Sequence, residues 1–471
     1  MAKKIKLFDL ILMSISTLYG IRWIAKSTAS SFGLGLAAIP SWLIFAVLFF
    51  IPQALICAEL ANRFSDKSDG GLYVWVKEAL GEKYGFMAAW LNWTSKIFWY
   101  ASFMTFFVIN ISYFIGRPEL ADNKIVVMIF SVVIFWLLSM MSMKGMGGSK
   151  IFTSFGAFGS FIPSVILISF AFIAIVVLKK RPSASVYTVA TMTPKFNADS
   201  LVAVSGIIFG FTGAEVIANF ITEIDNPKKT YPKAILISAV LVAGLYILGS
   251  IAITMILPPE EIQASTGILD SIGRVAALLG IGDWLVKLIA GGVAFSMLGA
   301  TIIYIASPIK MLFGSVPKGM FPDKFTKVNS VGIPEKAVIL QTVIVSLLLI
   351  ATAVMPGVDV IYNILVTMTA LTALLPYGLL LISYIKIRKE SKDDNYDGYV
   401  MAKSNKVCIG IGYETLFLCV LGILFSCAPV MGSLRENIIY ELEMIGGGLI
   451  VIMSGLYLWN RYIKKKINNN K

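Results

Sequence analysis

The chain has 471 residues, 57% hydrophobic and 14% charged, with no histidine and a formal net charge of +13. Its mean hydropathy is +0.82 and its apolar residues gather in blocks of about 20, the length that crosses a ~30 Å hydrocarbon core as a helix, so a soluble enzyme is excluded. Cys57, Cys408, Cys419 and Cys427 lack paired spacing, which excludes a disulfide scaffold, and without imidazole or clustered thiols neither a metal site nor a cofactor is expected.

Twelve apolar blocks follow one another at 8–34, 39–61, 84–115, 125–143, 151–178, 199–224, 234–257, 284–313, 337–355, 359–385, 409–430 and 442–462. None alternates as a barrel strand does, and only closed backbone hydrogen bonding survives in lipid, so each is read as a helix. The first block lacks a small-residue cleavage site and runs past signal-peptide length, so it too is read as a span. The expected fold is therefore an all-α integral membrane protein with twelve transmembrane helices.

Lys and Arg concentrate in the N-terminal segment 1–7, the polar connector 389–408, the tail 464–471 and the loops that share their side of the membrane. That bias predicts a multi-pass protein of the cytoplasmic membrane with both termini cytoplasmic. The loop 179–198, with Lys179, Lys180, Arg181 and Lys195, opposes the bias and is outvoted. The positive charge is thus mainly a topology signal, and nucleic acid is excluded as a partner.

Two blocks are interrupted. The first carries Tyr19-Gly20-Ile21-Arg22-Trp23, and the sixth carries Phe209-Gly210-Phe211-Thr212-Gly213-Ala214-Glu215. Glycine weakens a helix by ~1 kcal/mol relative to alanine, and each run has a charge within a turn. Close packing by small residues is the plain alternative. Interruptions at matching places in two halves point instead to an inverted-repeat transporter. The halves are 8–178 and 199–388, with spans 11 and 12 peripheral over 409–463. Freed N–H groups suit a carboxylate, and freed carbonyls suit an ammonium group.

Several stretches resemble the amino acid–polyamine–organocation transporters. They are Gly213-Ala214-Glu215 with Thr222-Glu223-Ile224-Asp225-Asn226-Pro227-Lys228-Lys229-Thr230-Tyr231-Pro232, Ile51-Pro52-Gln53-Ala54-Leu55-Ile56-Cys57-Ala58-Glu59-Leu60, Asp69-Gly70-Gly71-Leu72-Tyr73, and Pro322-Asp323-Lys324-Phe325 with Gly332-Ile333-Pro334. The wording is most similar to the glutamate/γ-aminobutyrate antiporter branch. The resemblance implies a five-plus-five inverted core and alternating access. It places substrate at the backbone of Tyr19, Gly20, Ile21 and Arg22 and of Phe209, Phe211, Thr212 and Gly213, with Phe209 and Phe211 as pocket aromatics and Glu215 as a coupling group. The small-residue Gly-Ser-Gly run usual in span 1 is replaced here by bulky residues.

Charges inside a membrane default to function. Arg22 is a candidate carboxylate ligand, or a structural partner of Glu215. Lys96 is a candidate for coupling or gating, or a structural pair; Lys26 is expected to reach water; Glu59 is expected in an interfacial ion pair. The leading expectation is a secondary transporter of amino acids, or an exchanger of an amino acid for its amine product. Proton-coupled uptake and a non-transporting receptor are the alternatives. Expected partners are a small amino acid or amine, protons, the lipid bilayer and a second copy of the chain in a homodimer.

Overall fold

The computed structural model describes residues 4–65, 71–144, 150–218, 224–355, 357–391 and 398–469, and among these the blocks are helical, with no strand beyond one bridge between Ile5 and Ile224. Asp69, Gly70, Thr222, Glu223 and part of the 389–408 connector lie outside the described residues. The first block forms α1 (Leu7–Leu18) and α2 (Arg22–Thr28). The second is α3 (Gly35–Arg63), joined through the short α4 (Leu72–Leu80) to α5 (Glu82–Phe114). Next come α6 (Lys124–Met143) and α7 (Lys150–Phe172). The sixth block is α8 (Ala198–Gly210) and α9 (Ala214–Ala218). Then follow α10 (Pro227–Ile256), the loop helix α11 (Gly267–Leu279), α12 (Trp284–Ser315) and α13 (Glu335–Ala351). Last are α14 (Val358–Glu390), α15 (Asn405–Phe425) and α16 (Leu434–Asn469).

Among the described residues nine helical stretches are long and apolar enough to cross a membrane. The other three of the twelve expected blocks are helical too. The fifth and eighth contain the shorter apolar stretches Phe161–Val177 and Trp284–Leu298, and the first is divided into pieces of 12 and 7 residues, neither of which reaches across a bilayer alone.

Local chemistry sets the ends. Asn123 accepts the N–H of Ile125 and Val126 at 3.1 and 3.2 Å to start α6, and Asn197 accepts that of Ser200 at 2.9 Å to start α8. Pro227 opens α10, where its missing N–H costs nothing. In α3 a wide turn at Ala46–Phe50 precedes Pro52, which has no N–H to give.

Among the membrane-length helices the most buried are α5 and α14, with 67% and 83% of their apolar windows inside the protein, whereas α15 and α16 reach only 28% and so lie at the periphery. The two interrupted helices run antiparallel. At the N-terminal end of the bundle, Asp225 N–H donates to Ile5 O at 3.0 Å. At the far end, Phe32 N–H donates to Asp199 Oδ1 at 2.7 Å. The breaks therefore meet in the middle.

Glu59, expected in an interfacial ion pair, does form ion pairs but is fully buried at the end of α3. Its Oε2 accepts Arg388 Nη2 at 2.6 Å, the Tyr384 hydroxyl at 3.1 Å and the Met401 N–H at 3.1 Å, and Arg63 Nε lies 3.4 Å from Oε1. One carboxylate thus ties α3, α14 and the connector together. Glu59→Ala should destabilise the protein by about 3–5 kcal/mol, because Arg388 would keep a buried, uncompensated charge; thermal unfolding of the purified protein measures it.

Candidate functional site

Helical winding stops at Tyr19, where the backbone turns extended (φ −99°, ψ 128°), and resumes at Arg22. In the sixth block it stops after Gly210 and resumes at Ala214, with Gly213 at φ +121°. That conformation is open to glycine and strained for other residues. The two breaks touch: a Cβ on Gly213 would lie 3.4 Å from the Thr17 carbonyl oxygen and 3.4 Å from the Leu18 side chain.

Each break is held by a tyrosine. Gly20 N–H donates to the Tyr246 hydroxyl of α10 at 3.1 Å, and that hydroxyl donates to Leu18 O at 3.3 Å. Gly213 N–H donates to the Tyr377 hydroxyl of α14 at 2.7 Å, and that hydroxyl donates to Glu215 Oε2. A phenol donates and accepts at once, so Tyr246 satisfies two backbone groups of the first break, and Tyr377 satisfies one backbone N–H of the second while binding the Glu215 carboxylate. Tyr19 adds a short hydrogen bond to Ser164. The N–H groups of both glycines therefore already have a partner within the protein. The N–H groups of Ile21, Arg22 and Ala214 make no hydrogen bond among the described residues.

The glycines of span 6 divide between two roles. Gly206 and Gly210, one turn apart, receive Trp23: an added Cβ would meet its ring at 3.6 and 3.5 Å. Those two serve close packing, and Gly213 serves the break. Phe209 packs edge-on to Trp23 at 5.4 Å. Phe211, expected to border substrate, is fully buried, stacked on Phe50 at 4.8 Å and edge-on to Trp42 at 5.1 Å; its ring is packing between spans 2, 6 and 7. Ile21 is also buried.

Partial exposure in the middle of the bundle marks the space between these elements. Gly20, Thr212, Gly213 and Glu215 keep it, as do Lys96, Trp99 and Phe103 on one face of α5. The Arg22 guanidinium is 6% exposed and lies 5.4 Å from the rings of both Trp23 and Phe103. Among the described residues its Nη1 makes no hydrogen bond of normal geometry, the neighbouring Tyr362 hydroxyl being likewise unpartnered, and Arg22 has no carboxylate partner, so the Arg22–Glu215 pair is not formed. Trp99 stacks on Phe103 at 4.3 Å and meets Tyr304 of α12 at 5.1 Å; Lys96 Nζ lies 5.9 Å from the Tyr304 ring and within electrostatic reach of Glu215. An aromatic wall thus joins Arg22 at one end to the Lys96–Glu215 region at the other. Lys26, expected to reach water, is 3% exposed and hydrogen-bonded.

Sequence reading missed Tyr246 and Tyr377. The available signal was a phenol in the middle of an apolar block, which must find a polar partner. A cavity of about 580 Å³ lies at the far end and is lined in part by Tyr113, Glu261, Asp270, Arg274 and Asp283; no expected site residue lines it. Burial raises the Asp270 carboxyl there above the usual range.

A family model described as amino acid permease matches residues 5–450. An uncharacterised transporter of Legionella pneumophila is 29% identical over 453 residues, 96% of this chain and 95% of its own. A glutamate/γ-aminobutyrate antiporter of Lactococcus lactis is 26% identical over 406 residues, 85% of this chain and 79% of its own. A probable agmatine/putrescine antiporter of the same species is 22% identical over 468 residues, 99% and 97% of the two chains.

Gly213→Ala should destabilise the protein by about 1–3 kcal/mol, because alanine resists this backbone conformation. Gly206→Ala, with only ordinary contacts to absorb, should leave the melting temperature unchanged or raised. Parallel thermal-shift measurements compare the two.

Proposed function

The chain belongs to the amino acid permease family, and from that premise we propose that it is a secondary active transporter of the cytoplasmic membrane, moving amino acids or exchanging an amino acid for its amine product by alternating access. The observation that carries this reading is the meeting of two antiparallel broken helices around a buried guanidinium with an unpaired Nη1. A substrate carboxylate meets Arg22 and the free N–H groups opening α2, through charge-assisted bonds in a low dielectric. The α-ammonium meets the carbonyls of the breaks and Glu215. Tyr19, Gly20, Phe209, Thr212 and Gly213 shape the space, and Lys96 and Glu215 carry coupling.

The helix pairing supports an inverted repeat of spans 1–5 and 6–10 over residues 8–178 and 199–388. Exchanging the halves turns α5 against α14 into α12 against α7, and α1 against α7 into α8 against α14. It also turns α1 and α2 against α10 into α8 and α9 against α3. Even the loop helices correspond: α4 packs on α5 as α11 packs on α12. With the basic segments on the N-terminal side, both termini are read as cytoplasmic.

Proton-coupled uptake is the second reading, favoured by the Glu215 carboxylate bonded to Tyr377 and within electrostatic reach of Lys96. Counterflow in proteoliposomes separates the two, since exchange needs substrate on the far side and uptake follows an imposed proton gradient. Arg22→Ala should weaken carboxylate substrates about tenfold or more relative to decarboxylated amines; equal losses would make Arg22 structural. Glu215→Gln should alter the pH profile of transport, and an unchanged profile would remove it from coupling.

A further inference from the structure

The two ends of the central space are closed to different degrees. Every residue of α2 is buried, as is nearly all of α8 beyond its first turn. On the other side of the breaks, Met13 and Thr17 of α1 and Glu215 and Val216 of α9 keep partial exposure. The far end is sealed, and a polar network centred on Lys26 spans the seal.

Lys26 Nζ donates to Asn363 Oδ1 at 2.6 Å and to Phe32 O at 3.1 Å, and lies 4.9 Å from the Phe32 ring. Asn363 Nδ2 donates to Asp359 Oδ2 at 2.9 Å. The other oxygen of Asp359 accepts the N–H of Ser265 at 3.0 Å and its hydroxyl at 2.7 Å. One ammonium group therefore links α2 to the start of α14 and, through Asp359, to the segment that leads into α11. Through Phe32 it also reaches α8, because Asp199 Oδ1 takes the Phe32 N–H at 2.7 Å.

Phe32 is the strained member. Its φ is +55°, a left-handed conformation unusual for a bulky side chain. Such a residue persists where its surroundings over-determine it, and here Asp199 holds its N–H while Lys26 holds its carbonyl. The ammonium faces an amide and a peptide carbonyl, with Asp359 and Asp199 one group further away. A direct buried lysine–aspartate pair would be harder to open in every cycle than this charge–dipole arrangement.

We propose that Lys26 is the latch of the far-side gate: its bonds to Asn363 and Phe32 hold α2, α8, α14 and the lead into α11 together, and they must break before the site can open to the far side. This rests on the transport reading above, in which Lys26 is a positioning residue that touches no substrate. Losing the latch shifts the conformational equilibrium toward far-side opening, which simultaneously closes the N-terminal side.

Hydrogen–deuterium exchange of the full chain in lipid nanodiscs tests it, comparing wild type with Lys26→Met and, as a second variant that keeps the lysine, Asn363→Ala. Both variants should exchange about tenfold faster across residues 24–34 and 262–269, and more slowly across residues 8–18. The opposite signs identify a shifted gate. Faster exchange at both ends would show that Lys26 only packs the fold, and unchanged exchange would show that it holds nothing; either result overturns the latch. Counterflow by the wild-type protein is measured alongside, so that an absence of transport is charged to the transport reading and not to the latch.

Discussion

A helix opened in the middle of a membrane leaves polar backbone groups with no water to satisfy them, and the architecture of this protein answers that constraint. Tyr246 and Tyr377 come from different spans and do the same work at the two breaks, each accepting a glycine N–H and donating to an oxygen beside it. Because the breaks touch at Gly213 and Thr17, the two repairs form one centre. A phenol is well suited to this, having an apolar body for the surrounding helices and a tip that gives and takes a hydrogen bond.

The charges near this centre are kept apart by aromatic rings. Arg22 lies against Trp23 and Phe103, Lys96 near Tyr304, and Trp99 joins the two groups of rings. A cation against a ring face recovers through the ring quadrupole part of the hydration energy it loses on burial, which aliphatic packing does not return. Arg22 is buried with no carboxylate partner among the described residues, and the two rings offset part of the cost of that burial. Lys26, one turn further along α2, is different: its neighbours satisfy it from two sides. Two cations four residues apart thus stand in opposite conditions, one with an unpartnered nitrogen and one hydrogen-bonded.

Much of this was legible before folding was considered. The apolar blocks follow from composition and length, and the weak points at Gly20 and Gly213 follow from glycine beside charge in otherwise continuous hydrophobic runs. Counting Gly210 with Gly213 in the interruption was too generous, because Gly210, like Gly206 a turn earlier, accommodates Trp23 and only Gly213 takes a positive φ. Phe211 misled for a related reason: adjacency to a break in sequence does not say on which side of the helix a ring lies, and here it is sealed against Phe50 and Trp42.

The sequence alone determined that this chain is a bundle of membrane-length helices with two weak points, since hydrophobic length and helix propensity are properties of a segment and need no partner. Only the tertiary structure decided which charge meets which group. Glu59 and Arg388 are more than 300 positions apart, as are Lys26 and Asn363, and both pairs exist because helices distant in the chain lie side by side. Contacts of that kind depend on the rotation and depth of each helix against its neighbours, which packing sets and periodicity does not reveal.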